Sequence, residues 1–313
     1  MTWPWCSPVD RAPLRQCGER LVDDAGLQQF SRRDGIWQLV HPERQLAVEQ
    51  WARDYGRLRA AEGRRAADAD YYRSLPWRDV TGRFSEQWSQ RAASFEMVLR
   101  ELDSMRPGRV VDLGAGNGWA AARLVERGWD ALAVDVNTDD DDGLGAAHHH
   151  GIDIELARAE LGSLPLENSS VDAVLINAAL HYAADPIGAV ADALRVVRPG
   201  GMLFVVDSPV FVRPAAGDKM VAEQHDRLLQ MHGVVAPLAG RGFLLRAQLA
   251  MLPHVTGGRW RDLTVRPTPA RRLVGRARAR RETATLCRLV AHKSPASEEK
   301  MTARPSNERD RAT

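Results

Sequence analysis

Five short runs of almost unbroken apolar residues, near 109–113, 130–135, 152–157, 171–177 and 201–207, alternate along the chain with stretches whose apolar positions recur every three or four residues. Runs of the first kind predict parallel strands buried on both faces, and the intervening stretches predict the helices that cover them. Ahead of the first run, Leu46, Val48, Trp51, Tyr55 and Leu58 mark one face of a helix within Pro42 to Arg65, and a second helix is predicted from Ser85 to Asp103. Beyond Pro209 the pattern predicts helices at Lys219 to Met231 and Arg241 to Leu252, then two late strands at Arg259 to Val265 and Thr283 to His292. From Ser294 to Thr313 almost nothing is apolar, and disorder is expected there. In such a sheet, ligands sit beyond the carboxyl ends of the strands where the chain order reverses.

The first apolar run meets that condition most sharply. Arg109-Val110-Val111-Asp112-Leu113 leads into Gly114-Ala115-Gly116-Asn117-Gly118 and then a helix from Trp119 to Arg127. Glycines here let the backbone bend and approach a ligand, and the helix turns its free N–H groups toward it. A dinucleotide turn would want a third glycine where Trp119 stands, so the spacing disfavours NAD and FAD. The next strand ends at Asp135, 23 positions after Asp112, where a carboxylate can accept two ribose hydroxyls.

A strand, Gly-x-Gly-x-Gly, a helix and a strand ending in Asp together resemble the class I S-adenosylmethionine-dependent methyltransferases. The segment Val171 to Tyr182 is similar to their fourth strand and its loop, and Ala193 to Val206 to their following helix, Pro-Gly-Gly turn and fifth strand. The likeness runs over roughly residues 80 to 292 and points to the type 11, ubiquinone/menaquinone-like subgroup. It implies an α/β, Rossmann-like fold, with a mostly parallel seven-stranded sheet, helices on both faces and an N-terminal helical lid. On this reading residues 1–40 are an extension, 41–104 the lid, 105–293 the methyltransferase domain with a helical insert at about 210–255, and 294–313 the tail.

The resemblance also implies S-adenosylmethionine as cofactor. Gly114, Gly116 and Gly118 would lie against its methionine and ribose, Asp112 would reach the amino group directly or through water, and Asp135 would hold the ribose, with Ala115 and Val136 also in the expected set. Ala159, Glu160 and Asn177 complete the expected cofactor set. Arg158 stands where the family usually places an adenine-binding Asp, so either Glu160 or backbone alone serves the adenine. Methyl transfer is an in-line displacement in which holding the reactants in place supplies up to ~7–11 kcal/mol. A base is needed only if the acceptor must lose a proton; His181 and Asp207 are the candidates, with loop organisation the competing role for His181 and strand termination before Pro209 that for Asp207. Tyr72, Arg91, Tyr182 and Ser208 are candidate substrate contacts, with Tyr71, Trp77 and Trp88 as further lid residues and Arg91 also able to meet the methionine carboxylate. Met220, Glu223, His225, His232 and Trp260 belong to segments expected to shape the acceptor pocket.

Composition narrows the partners. A net charge of +2 and 44% apolar residues are ordinary for a globular chain, and no run of 18 apolar residues or signal-like start occurs, so a cytoplasmic protein with no membrane partner is expected. Cys17-Gly18-Glu19-Arg20-Leu21, Gly26-Leu27 and Arg33 to Leu39 are similar to the zinc ribbons that precede some of these methyltransferases, yet one well-placed thiol cannot make a four-ligand site. The expectation is a metal-free remnant packed by Leu21, Leu27, Phe30, Ile36 and Trp37, the competing one an irregular extension. Asp139 to Asp142 read as capping and solvated charge rather than a metal site, and His148 to His150 as a solvent-facing helix end. A small-molecule acceptor is the leading expectation. The arginine-rich stretch Arg271 to Arg281 keeps an RNA or protein acceptor open, and a non-catalytic cofactor-binding protein is a third reading.

Overall fold

The computed structural model describes residues 2–64, 68–234, 237, 239–264, 282 and 284–294. Strands β1 (Leu14–Cys17), β2 (Arg20–Asp23), β3 (Gln29–Arg33) and β4 (Ile36–Gln38) precede helices α1 (Gln45–Ala61), α2 (Ala69–Ser74) and α3 (Ser85–Leu102). The alternating part follows as β5 (Arg109–Leu113), α4 (Trp119–Val125), β6 (Asp130–Asp135), β7 (Glu155–Arg158), β8 (Val171–Asn177), α5 (Pro186–Val196) and β9 (Val197–Phe211). Helices α6 (Pro214–His232) and α7 (Arg246–Thr256), with the short β10 (Leu244–Leu245) between them, lead to β11 (Arg259–Asp262) and β12 (Thr285–His292). The sheet runs β1-β2-β3-β4-β7-β6-β5-β8-β9-β12-β11, with β10 beside β9.

From β4 to β9 all neighbours are parallel, and β12 joins β9 antiparallel. The sheet has twelve strands where seven were expected: β7-β6-β5-β8-β9-β12-β11 form its main body, and β1 to β4 and β10 are additional. β5 stands at the middle, with the chain moving to one side through β6 and β7 and to the other through β8 and β9. The order therefore reverses between β5 and β8, and the glycine turn sits above that reversal.

Alternation along the strands sorts the core into two layers. Val110, Ala131, Ala133, Leu175, Phe204 and Val206 pack with Phe95 and Val98 of α3 and Ala120 to Ala122 of α4. Their neighbours Val111, Leu113, Leu132, Val134, Ile176 and Val205 pack with Val190, Ala193 and Leu194 of α5 and with Trp5 and Trp37. Both faces are covered, which is why these strands read as unbroken apolar runs.

Three regions depart from the sequence expectations. The N-terminal hairpins form part of the sheet: Ile36, Trp37 and Gln38 pair with Leu156, Ala157 and Arg158 of β7. Trp37 donates its indole N–H to Glu155 at 2.6 Å, and Arg32 pairs with the same carboxylate. Of the predicted packing residues, Leu21, Ile36 and Trp37 are buried and Phe30 half-buried, whereas Leu27 is 86% exposed; Cys17 stands at the exposed end of β1. β9 does not stop before Pro209. It continues to Phe211 through an irregularity at which Asp207 takes φ +60° and the pairing with β12 shifts register. Third, β7 starts three residues late, because a 3-10 turn over Leu144–His150 and left-handed Gly151 occupy the approach. Arg271 to Arg281 and residues 295–313 lie outside the described residues. Among the described residues no helix is long and apolar enough to cross a membrane.

Candidate functional site

The sheet-side wall of the site is one continuous hydrogen-bonded turn. Gly114 and Ala115 donate to the Val134 carbonyl at 2.8 and 3.1 Å, which draws the chain after β5 toward the end of β6. Asp135 closes the arrangement: Oδ2 accepts the Gly116 N–H and Oδ1 the Asn137 N–H, both at 2.8 Å. Gly114 has φ +78°, and a Cβ there would stand 2.3 Å from that of Ala179, so only glycine fits between the β5 and β8 loops. Burial lifts the Asp135 carboxyl above the usual carboxylate range, against its backbone N–H partners.

Opposite stands a wall of side chains. Trp51, Tyr55 and Arg59 follow at four-residue intervals on one face of α1, and Trp88 and Arg91 come from α3. Trp51 stacks on Tyr55 with centroids 4.8 Å apart, and Tyr182, from the loop after β8, meets both edge-on at 6.0 and 5.8 Å. Arg59 pairs with Asp142 through Nε, and through its terminal nitrogen at 3.1 Å. The Arg91 guanidinium lies 4.7 Å over Trp88 and has no ion-pair partner within 4 Å among the described residues. Between the walls is a cleft of about 850 Å³, counted to its open mouth.

Residues 111–205 match the family described as a methyltransferase domain. Over that stretch the chain is similar to this family. A methyltransferase from Mycobacterium tuberculosis is 47% identical over 98 residues, 31% of this chain and 39% of that protein. A malonyl-[acyl-carrier protein] O-methyltransferase from Hahella chejuensis is 36% identical over 38% of this chain and 47% of its own, and a demethylmenaquinone methyltransferase from Beutenbergia cavernae 35% over 34% and 44%. Each match spans less than half of the relative's length. Among solved structures, the YcgJ protein of Bacillus subtilis covers 65% of this chain and 99% of its own, at 14% identity and a TM-score of 0.48.

Of the residues expected to hold a methyltransferase's cofactor, Gly114, Ala115, Gly116, Asp135, Val136, Ala159 and Asn177 line the cleft, as do Arg91 and Tyr182. Both amide atoms of Asn177 are buried without a partner among the described residues, a polar group held ready for a ligand. Gly118 is not in the lining; at φ +75° it caps α4. Asp112 lies beneath the turn, where its carboxylate accepts the Ala121 N–H at 3.2 Å; burial, with the charge of Asp135 adding, pushes it up to about 7. Glu160 turns away to pair with Arg44 at 2.9 Å. Arg158, in the place of the family's usual Asp, donates to the Val136 carbonyl at 3.1 Å and so braces the cleft wall from behind.

Tyr72 is not a cleft residue. Fully buried, it donates its hydroxyl to the Asp141 carbonyl at 2.6 Å and stacks on His149 at 4.4 Å. Tyr71 is core and Trp77 is 45% exposed. Nor do the three histidines face solvent together: His150 is buried and its Nε2 meets the Asn117 carbonyl at 3.0 Å, beneath the glycine turn. In the acidic run, Asp139 accepts the N–H groups of Asp141 and Asp142, and Asp142 holds Arg59.

His181, Asp207 and Ser208 form a layer behind the lining. His181 Nδ1 meets Ser208 Oγ at 3.2 Å, and burial, with the charge of Arg91 adding, pushes its pKa down to about 4. An imidazole so depressed is neutral at pH 7 and weak as a base. Asp207 accepts the Ser94 hydroxyl at 2.5 Å, while Arg288 donates to Ser94 at 3.0 Å; burial lifts the Asp207 carboxyl, opposed by Ser94 and by the charges of Arg91 and Arg288. The sequence pattern marks Trp51 and Tyr55 only as part of a helix face and leaves Arg59 unmarked. Their i, i+4, i+8 spacing, two aromatics followed by an arginine, is the signal that marks them.

Proposed function

We propose that the protein transfers the methyl group of S-adenosylmethionine to a small-molecule acceptor. One observation carries the reading: at the point where strand order reverses, the Asp135 carboxylate fixes the glycine turn while facing a cleft in which the Asn177 amide has no hydrogen-bond partner and Arg91, stacked on Trp88, no ion-pair partner among the described residues. These groups complement an amino-acid nucleoside. Asp135 keeps lone pairs for ribose hydroxyls after its two N–H bonds. Arg91 offers a fork for the methionine carboxylate, Asn177 an acceptor for the amino group, and Val136, Ala159 and Leu161 an apolar slot for the base. When bound, the donor supplies an activated methyl group on a sulfonium.

The protein's part is alignment and exclusion of water. Trp51, Tyr55 and Tyr182 close the cleft over the strand ends, and no general base is assigned, since His181 and Asp207 both stand behind the lining. The location expected is the cytoplasm. The test is calorimetry with S-adenosylhomocysteine. Binding is expected in the wild type, and Asp135→Ala is expected to weaken it about 100-fold or more, because two charge-assisted hydrogen bonds that shape the turn are lost with the ribose contacts. No binding by the wild type, or equal binding by the variant, overturns the reading.

A further inference from the structure

A second cavity, about 1500 Å³ counted to its mouth, meets the cleft at Trp51, Val136, Leu161 and Tyr182. Val136 and Leu161 are the residues given above to the base of the donor, so this cavity opens past the base. Its further walls are Ala47 and Val48 of α1, the Gly162–Ser163 turn, and Ala183 to Asp185. Asp185 accepts the Ile187 and Gly188 N–H groups at 3.1 and 3.0 Å, has no ion-pair partner among the described residues and is exposed, so the far side of the space stays hydrated. The base slot, by contrast, holds no side chain free to read a base. Glu160, between Ala159 and Leu161 in the chain, lines the second cavity instead of the cleft, because Arg44 pairs with it at 2.9 Å. Arg158 donates its Nε–H to the Val136 carbonyl from behind the wall. Among the other acceptors of the cleft, Asp142 pairs with Arg59 and Asn137 Oδ1 accepts the Asp139 N–H at 3.2 Å. Asn177, whose amide has no partner among the described residues, ends β8, on the far side of β5 from β6 and β7.

We infer that no side chain reads the exocyclic amine of the donor's base, that this edge of the base looks into the second cavity, and that the chain therefore accepts nucleosides altered or extended there. The Arg44–Glu160 pair sets that tolerance, because it draws off the one carboxylate whose place in the chain adjoins the slot. The inference rests on the methyltransferase reading above. A site built to hydrogen-bond a ligand's N–H rejects the analogue lacking it, because its own acceptor is left buried and unpaired; where no acceptor waits, losing the N–H costs little. The amine in turn keeps its water, since the space before it is open, and no polar group is buried without a partner. A ring added at the same nitrogen displaces that water and meets the faces of Trp51 and Tyr182, which wall both spaces.

The test is calorimetry on the full chain with S-adenosylhomocysteine, with its analogue carrying hydrogen in place of the exocyclic amine, and with its N6-benzyl analogue. The wild type is expected to bind all of them within about threefold of one another. Ala47 and Ala184 are exposed residues on separate walls of the second cavity, so Ala47→Trp and Ala184→Trp fill it without disturbing the core. Each is expected to weaken the N6-benzyl ligand about tenfold or more while leaving S-adenosylhomocysteine within about twofold. Arg44→Ala releases Glu160 toward the amine and is expected to favour S-adenosylhomocysteine over the deaminated analogue by about tenfold, and adding Glu160→Ala is expected to return the ratio to about threefold or less. A wild type that binds either analogue more than about tenfold more weakly, indifference of the benzyl ligand to both tryptophans, or an Arg44→Ala ratio equal to that of the wild type overturns the inference while S-adenosylhomocysteine still binds. Failure of S-adenosylhomocysteine itself to bind overturns instead the reading on which it rests.

Discussion

On the sheet side of the cleft, Asp135 grips two backbone N–H groups within one tight turn; on the helical side, Trp51, Tyr55, Arg59 and Arg91 arrive from two separate helices and are held by ring and charge contacts. The first wall is fixed by main-chain geometry that the glycines permit and the strand end imposes. The second is fixed by which side chains meet across long loops. A wall of the first kind is rigid before any ligand arrives, and one of the second kind can be altered residue by residue without disturbing the sheet. Perturbing each wall separately is therefore the way to sharpen the contrast.

Arg91 gives the largest expected effect on the helical side. Its guanidinium is buried against Trp88, and burial together with the charges of Arg59 and Arg64 holds it below the usual arginine range, though still protonated. An uncompensated cation in such a place gains most when an anion arrives. Arg91→Ala is expected to weaken S-adenosylhomocysteine by about 10–100-fold, the worth of a charged hydrogen-bonded contact, with Arg91→Lys recovering part of it. Affinity unchanged by calorimetry would remove Arg91 from the donor site and leave the helical wall as cover alone.

The same contrast explains what the sequence revealed. Gly114, Gly116, Asp135 and Asn177 lie at strand ends, so their spacing alone brings them together, and β5, β6 and β8 fall where their apolar runs lie. Tyr72 was misplaced because an aromatic in a lid segment carries no mark of which way it faces; here a backbone carbonyl of the acidic loop captured its hydroxyl. Glu160 was drawn off by Arg44, 116 residues away, a pairing that no local pattern encodes. The N-terminal hairpins read as an appendage because their role depends on Trp37 and Arg32 meeting Glu155 of a strand more than 100 residues later. Arg59 was hidden for a simpler reason: on a helix rich in arginine, only the partner, Asp142, distinguishes it.

The rigid wall is tested by pH. His150 supports the glycine turn through the Asn117 carbonyl, and burial pushes its pKa down to about 4 from 6.5. The neutral ring therefore stabilises the fold fully above pH 6.5, and that contribution is lost as the pH falls toward 4. Asp112 has the opposite sign: with its pKa raised to about 7, its contribution is complete below pH 3.8 and lost as the pH rises through 7. The two overlap in the wild type, so a difference is needed to separate them. Denaturant titrations should show His150→Gln losing less stability than wild type between pH 6.5 and 4, by on the order of 1–3 kcal/mol. Parallel curves would mean that the turn does not depend on a neutral His150.

The smallest expected effect lies at the joint between the walls. Tyr72 of α2 holds the Asp141 carbonyl, and the next residue, Asp142, holds Arg59 of α1, so one hydroxyl pins the acidic loop that links the end of β6 to the lid. If Tyr72 serves that joint alone, Tyr72→Phe removes one hydrogen bond and keeps the ring stacked on His149, lowering stability by about 1 kcal/mol and leaving S-adenosylhomocysteine affinity within about twofold. The reverse pattern, affinity lost with stability kept in Tyr72→Phe, would show that the loop transmits its position to the ligand. Main-chain fixing of the sheet wall would then be incomplete without the helix that packs behind it.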